Sequence, residues 1–161
     1  MTRTVILIPS RLNSKRLKNK PLLEIDNFPL VVHTYKRAMM SKICSEVYVC
    51  TDSTKIKKKC EEFSSKVIMT SSKHINGTER IAEAAKKLNL KNNDIIIDVQ
   101  GDEPLIDPKQ IDNTIKFFKK NKFEIVLPNI LMKNGSSKNI VKLVFDKNNQ
   151  VRWMSRAELP F

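Results

Sequence analysis

The run Thr4-Val5-Ile6-Leu7-Ile8-Pro9-Ser10-Arg11 decides the fold class. A short apolar stretch rich in β-branched residues reads as a buried strand. It empties directly into a loop carrying Arg11, Lys15, Arg16, Lys18 and Lys20. In an open α/β sheet, ligands bind outside the carboxyl ends of the strands, which is where this loop falls. Clustered cations repel one another unless an anion joins them, and a polyphosphate is the natural candidate. A solvated basic loop following a strand fits the same residues, and this segment alone leaves both readings open.

The glycine-rich phosphate cradles are missing. There is no G-x-G-x-x-G and no G-x-x-x-x-G-K-[ST], and the 161-residue chain has glycine only at Gly77, Gly101 and Gly135. A phosphate bound here would be held mainly by side chains, arginine clamping two oxygens and lysine acting as a movable point charge.

Working outward, strand and helix patterns alternate. Strands are predicted at about Val5–Pro9, Glu46–Thr51, Lys66–Met69, Asp94–Val99, Glu124–Leu131, Val141–Phe145 and Val151–Met154. Helices are predicted over Leu30–Met40, from an Asp52 or Ser53 cap to about Phe63, over Thr78–Leu88 and over Pro108–Lys120, with proline at the start of the last. The almost continuously apolar Asp94–Val99 is expected at the centre of a parallel sheet. A turn is expected at Lys147-Asn148-Asn149. The sum is one α/β domain over residues 1–161, three-layered, with a mostly parallel sheet.

Bulk properties narrow the function. The chain can bury a real core, and no apolar run approaches the ~20 residues that span a bilayer. The Val5–Ile8 run is too short for a secretory signal. Cys44, Cys50 and Cys60 lack metal-type spacing and read as reduced thiols, so a cytoplasmic location is expected. The net charge of +13 suggests nucleic acid, but aromatic content is only 6% and no basic-aromatic interleaving appears. Lysine far outnumbers arginine, with asparagine and isoleucine abundant, which is a compositional bias spread over the surface. No dedicated nucleic-acid site is expected. His33 reads as structural, and Trp153 as core or exposed apolar surface.

Two further loops follow strands and should reach the same sheet edge. In Thr70–Arg80, Asn76 and Glu79 are spaced like a capping box, and the helix start beside them also suits an anion or a base edge. In Asp98–Leu105, adjacent acids after a strand make sense near phosphates if a divalent cation is present, and Gly101 would allow a sharp turn. A plain cap and a plain acidic loop are the alternatives.

On these motifs the chain resembles the 3-deoxy-manno-octulosonate (Kdo) cytidylyltransferase, or CMP-Kdo synthetase, family. That family's I-P-A-R-x-x-S-x-R-L-P-x-K-P-L is matched by Ile8-Pro9-Ser10-Arg11, Ser14, Arg16-Leu17 and Lys20-Pro21-Leu22. Its H-x-x-G-T-[DE]-R is matched by His74, Gly77, Thr78, Glu79 and Arg80, and its V-Q-G-D-E-P by Val99 through Pro104. V-K-V-V-x-D and S-R-x-x-I-P resemble Val141–Asp146 and Ser155–Pro160.

The resemblance implies a Rossmann-like nucleotidyltransferase that uses CTP and Mg²⁺ to make CMP-Kdo and pyrophosphate for lipopolysaccharide synthesis. It implies Arg11, Arg16, Lys20 and Asp102 as catalytic groups, with Asp102 holding the metal. It assigns Pro9, Ser10, Arg11, Ser14, Arg16, Lys20, His74, Gly77, Thr78, Arg80 and Gln100 to the nucleotide. Gln100, Lys142, Ser155 and Arg156 would approach the sugar acid. A homodimer is implied for the full-length family.

The departures are Lys18-Asn19 for Pro-Gly, Ser10 for Ala and Asn76 for Ser. Family members continue beyond S-R-x-x-I-P, so the C-terminal part of the family fold is expected to be missing here, with an incomplete sugar and metal site and no normal turnover. Another sugar acid such as an amino-Kdo, a basic nucleic-acid-binding module and an inactive remnant are the rival readings.

Overall fold

The computed structural model describes residues 2–12, 17–121, 123–131 and 140–157. The chain divides into two compact units, Met1–Val126 and Leu127–Phe161. No helix among the described residues is long and apolar enough to cross a membrane.

The first unit is built on β1 (Thr4–Ser10), β4 (Glu46–Thr51), β5 (Val67–Met69) and β6 (Ile95–Asp98), in the order β5-β4-β1-β6 with every pairing parallel. Between them run α1 (Leu30–Ala38), α2 (Thr54–Glu62) and α3 (Gly77–Lys87), and α4 (Pro108–Lys120) follows the last strand. Alternation along β1 sorts its side chains into two layers. Ile6 and Ile8 pack with Val31, Val32 and Tyr35 of α1, Ile56 of α2, and Ile111 and Ile115 of α4. Val5 and Leu7 pack with Cys50 of β4 and with Ile81 and Ala84 of α3. Helices therefore cover both faces of a parallel sheet, as the alternating pattern predicts.

Local chemistry sets the helix ends. Ser53 Oγ accepts from Ile56 N–H to cap α2, and Asp107 caps α4 through Lys109 N–H ahead of Pro108. Both α2 and α3 close with paired Schellman bonds. Ser65 N–H reaches Cys60 O across Ser64 (φ 58°), and Leu90 N–H reaches Ala85 O across Asn89 (φ 52°). With so few glycines, asparagine and serine fill the left-handed positions.

Four expectations need correction or addition. β6 is an edge strand among the described residues, with Ile96 41% exposed. An apolar run reports covered faces and says nothing about which edges are paired. Glu124–Leu131 forms no strand, and Leu131 is 96% exposed. β-branched composition without a neighbouring strand leaves its backbone groups to water. The last two predicted strands do form, as β7 (Lys142–Phe145) and β8 (Val151–Ser155), but as an antiparallel hairpin in the second unit. Their expected turn is present, with Asn149 at φ 59° and Asp146 accepting from Asn148 and Gln150 N–H. Trp153 on this hairpin is exposed. Finally, the sequence reading overlooked a two-residue hairpin, β2 (Glu24–Ile25) with β3 (Phe28–Pro29). Asp26 and Asn27, at φ 49° and 64°, supply the doubly left-handed turn such hairpins favour. His33 has the structural role expected of it, its Nε2 donating to Ile25 O at 2.7 Å.

Candidate active site at the carboxyl edge of the sheet

Three loops converge on Pro9, near the carboxyl end of β1. A Cβ at Gly77 would lie 3.2 Å from Pro9 Cγ, and one at Gly101 only 3.0 Å from the Pro9 carbonyl oxygen. The loops before α3 and after β6 thus close directly onto the central strand. The turn expected at Gly101 is present, with Glu103 N–H bonded to Gln100 O at 3.1 Å. Neither glycine has a positive φ, however, so it is the close approach to Pro9 and not the turn that calls for glycine at 101.

Two cations of the first loop, Arg11 and Lys20, tie it to the other two. Arg11 is exposed and donates to Ile75 O at 3.3 Å. Lys20 opens a short 3-10 helix behind Asn19 (φ 56°), and its Nζ lies 2.5 Å from Asp102 Oδ2. The Asp102 backbone is steadied by its neighbour, because Thr34 Oγ1 on α1 donates to Gly101 O at 3.2 Å. Gln100 donates to Asp98 Oδ1 at 2.9 Å. Burial raises the Asp98 carboxyl above the usual aspartate range, and burial and then Asp102 do the same to Glu103.

Beside Arg11 opens a cleft of about 360 Å³ lined by Arg11, Asp52, Ser53, Lys55, His74 and Arg80, among others. Two of its lining side chains, Arg80 and His74, are held in place. Arg80 is buried, donating to Thr70 Oγ1 at 2.5 Å with its other nitrogen 3.2 Å from Asp52 Oδ1. His74 Nε2 donates to Glu83 Oε2 at 2.5 Å, and the same carboxylate takes Ser71 N–H and the Lys87 ammonium. Lys87, then Ser71 and His74, hold Glu83 down to about 2. The expected cap forms in a shifted version of the box: Asn76 Oδ1 accepts from Glu79 N–H, while the Glu79 carboxylate accepts from Ile75 N–H, one residue before the cap, and from the Asn76 amide. Thr78 sits in the first turn of α3, whose free amides and dipole favour an anion nearby.

The structure thus brings together Pro9, Ser10, Arg11, Lys20, His74, Gly77, Thr78, Arg80, Gln100 and Asp102 within one unit. Ser10 is buried, and its hydroxyl has no hydrogen-bond partner among the described residues. Ser14 and Arg16 lie outside the described residues. Lys142, Ser155 and Arg156 belong to the hairpin unit. There Lys142 and Ser155 are register partners, and Lys142 Nζ donates to Arg156 O at 3.3 Å.

Asp52, Ser53 and Lys55 were overlooked as site residues, being read only as a helix start. The signal was available: β4 was already a strand of the sheet, so its carboxyl-end loop belongs on the same edge.

Comparison with known proteins fixes the relationship. A cytidylyltransferase family model matches residues 5–161. The chain belongs to the cytidylyltransferase family. Among cytidylyltransferases, it is 44% identical to a 3-deoxy-manno-octulosonate cytidylyltransferase from Thermodesulfovibrio yellowstonii, over 98% of this chain and 65% of that protein. It is 40% identical to an 8-amino-3,8-dideoxy-manno-octulosonate cytidylyltransferase from a Shewanella species, over 98% of this chain and 66% of that protein. The structure of CMP:2-keto-3-deoxy-manno-octonic acid synthetase complexed with CTP matches with a TM-score of 0.84 and 32% identity. That match covers 99% of this chain and 66% of the other. The chain therefore spans just under two thirds of the length of these cytidylyltransferases, and the sheet flanked by helices is their fold.

Proposed function

We propose that the protein transfers CMP from CTP to Kdo, giving CMP-Kdo and pyrophosphate as the activated sugar for lipopolysaccharide assembly in the cytoplasm. The observation carrying this reading is the convergence on Pro9 of a cationic loop, a capped helix start and an acidic loop. An eight-carbon sugar acid bearing an 8-amino group is the second reading, supported by the relative named for that substrate.

In the proposed reaction the sugar's anomeric oxygen attacks the α-phosphorus of CTP. A new phosphorus–oxygen bond forms, the bond to pyrophosphate breaks, and the hydroxyl proton is released. This chain's contribution is position and charge. Arg11 and Lys20 carry mobile positive charge on the first loop and would bind the triphosphate, with Arg16 as a further candidate. The first turn of α3 would present amides, and Arg80, locked by Asp52 and Thr70, would keep that wall rigid. Gln100, fixed by Asp98, would face the base or the sugar, while Lys142, Ser155 and Arg156 are candidates for the sugar acid.

Mg²⁺ fits the residues present at one point. Asp102 is a half-exposed carboxylate that already accepts a cation, the Lys20 ammonium. Among the described residues no cluster of three His, Cys, Asp or Glu groups could hold a metal, so phosphate oxygens and water would complete its shell. A bound ion there would offset phosphate charge and polarise the reacting phosphoryl group.

Calorimetric titration of this chain with CTP, ATP, GTP and UTP, with and without Mg²⁺, tests the nucleotide half of the proposal. CTP-selective binding strengthened by Mg²⁺ is expected. Indiscriminate binding by a folded chain would overturn it. Pyrophosphate release by the longer protein, with Kdo against its 8-amino analogue, separates the two sugar readings.

A further inference from the structure

Asp102 is already occupied, and its occupant sits on the other side of the site. Lys20 and Asp102 belong to different loops, and their 2.5 Å contact is a bridge between them. The two ends of the bridge differ in freedom. Gly101 is packed against the Pro9 carbonyl and bonded through its own carbonyl to Thr34, and Glu103 N–H closes a turn onto Gln100 O at 3.1 Å. The backbone that carries Asp102 is therefore restrained on both sides, and its short side chain can move little from there. Lys20 sits on one short 3-10 turn and reaches across on a flexible four-carbon stem. Its side chain is a third exposed, and Asp102 is its one recorded side-chain partner among the described residues. If the bridge opens, Lys20 is the end that leaves.

Resting on the proposed function, we propose that Lys20 holds the metal position at Asp102 in the free protein and surrenders it only to a metal that arrives on a triphosphate. A bare divalent cation approaching Asp102 meets the Lys20 ammonium and is repelled. A metal–nucleotide complex brings its own anionic oxygens, which draw the ammonium away. Lys20 then exchanges a carboxylate for a phosphate, and neither charge is left unpaired during the exchange. The arrangement favours binding of the metal with the nucleotide over binding of the metal alone.

The signature is an opposite response to one substitution. Lys20→Met keeps the stem and removes the charge. Mn²⁺ serves as the probe, its free fraction followed by electron paramagnetic resonance at low ionic strength, where exposed charges are least screened. Lys20→Met is expected to bind Mn²⁺ alone about three- to tenfold more tightly than the unaltered chain, a size set by exposed charges a few ångströms apart. The same variant should bind Mn²⁺·CTP about tenfold more weakly, the loss of one charge-assisted phosphate contact. Lys20→Arg should leave Mn²⁺ binding weak, and adding Asp102→Asn to Lys20→Met should abolish the gain. Circular dichroism checks folding, with Lys20→Gln as the replacement if the methionine variant does not fold. An unchanged or weakened Mn²⁺ affinity in Lys20→Met, with CTP binding intact in the parent, overturns the exchange and leaves the proposed function standing. Absence of Mn²⁺·CTP binding by the parent overturns both.

Discussion

The Arg80 guanidinium lies 3.2 Å from the Asp52 carboxylate, and its side chain is only 4% exposed there. Asp52 Oδ1 is buried with no hydrogen-bond partner among the described residues, and Arg80 is the cation paired with it. The pair joins the loop after β4 to α3 and forms one wall of the cleft. Arg80→Met leaves one buried oxygen of a carboxylate that is 24% exposed without its counter-charge, which typically costs about 1–3 kcal/mol. Urea unfolding should show a loss of that order. The double variant with Asp52→Asn should recover a substantial part of it, because the orphaned charge is gone. A loss below about 1 kcal/mol in the single variant would mean that Arg80 is only a surface cation.

The two glycines around Pro9 predict an order of severity. Gly101→Ala forces a methyl group against a backbone oxygen, which can yield only by moving the loop. The expected cost is about 1–3 kcal/mol, as for an overpacked core, together with weaker CTP binding because Gln100 and Asp102 move with it. Gly77→Ala meets the edge of the Pro9 ring at a longer distance and gains helix propensity at the start of α3. Thermal unfolding should rank Gly101→Ala well below Gly77→Ala.

Glu83 makes part of the stability depend on pH. Its carboxyl is held down to about 2 from an ordinary 4.5, chiefly by Lys87, then by Ser71 N–H and His74. A group with a depressed folded pKa adds stability above its unfolded value and loses it as pH falls through the folded one. The gap between the parent and Glu83→Gln should be full above pH 4.5 and should close between 4.5 and about 2. Its size should be about 1 kcal/mol, reduced from the raw shift because Glu83 is partly solvated. Urea melts at several pH values across that window check it, and a constant gap would contradict the assignment.

The thiols should label in two classes. Cys50 and Cys60 are buried, and burial pushes each up to about 12. Cys44 is partly exposed, its thiol raised chiefly by burial. Since the thiolate is the nucleophile, native alkylation followed by mass spectrometry should add at most one label, slowly, at Cys44. All three should react in denaturant.

Much of this was legible in the residues, for identifiable reasons. The pattern from Pro108 to Lys120 has a proline at its first turn and a clear apolar stripe, and the helix occupies that span. Glu46–Thr51 also emerged with its predicted bounds, because a short apolar strand between turn residues has few alternatives. Pairing was less visible. Ile95–Ile97 look central, yet edge position depends on which other segments come alongside, and Glu124–Leu131 did not. The site was legible wherever a loop followed a recognised strand. Arg80 was legible as a motif residue, but its burial was not, because arginine is rarely enclosed without a partner and Asp52 is remote in sequence. Glu83, a helical acid among many charged residues, carried no sign that it anchors His74.

β1 lies between β4 and β6, and this has a consequence for how the chain comes into being. The strand that leads into the cationic loop leaves the ribosome before either of its partners, residues 46–51 on one side and 95–98 on the other. Until both arrive, Val5 to Ile8 remain an apolar ribbon with unsatisfied edges. Parallel pairings across such long separations form slowly, and waiting strands of this kind associate with one another. Refolding yield should therefore fall as protein concentration rises. During synthesis, the segment most in need of a chaperone is the one at the centre of the finished sheet.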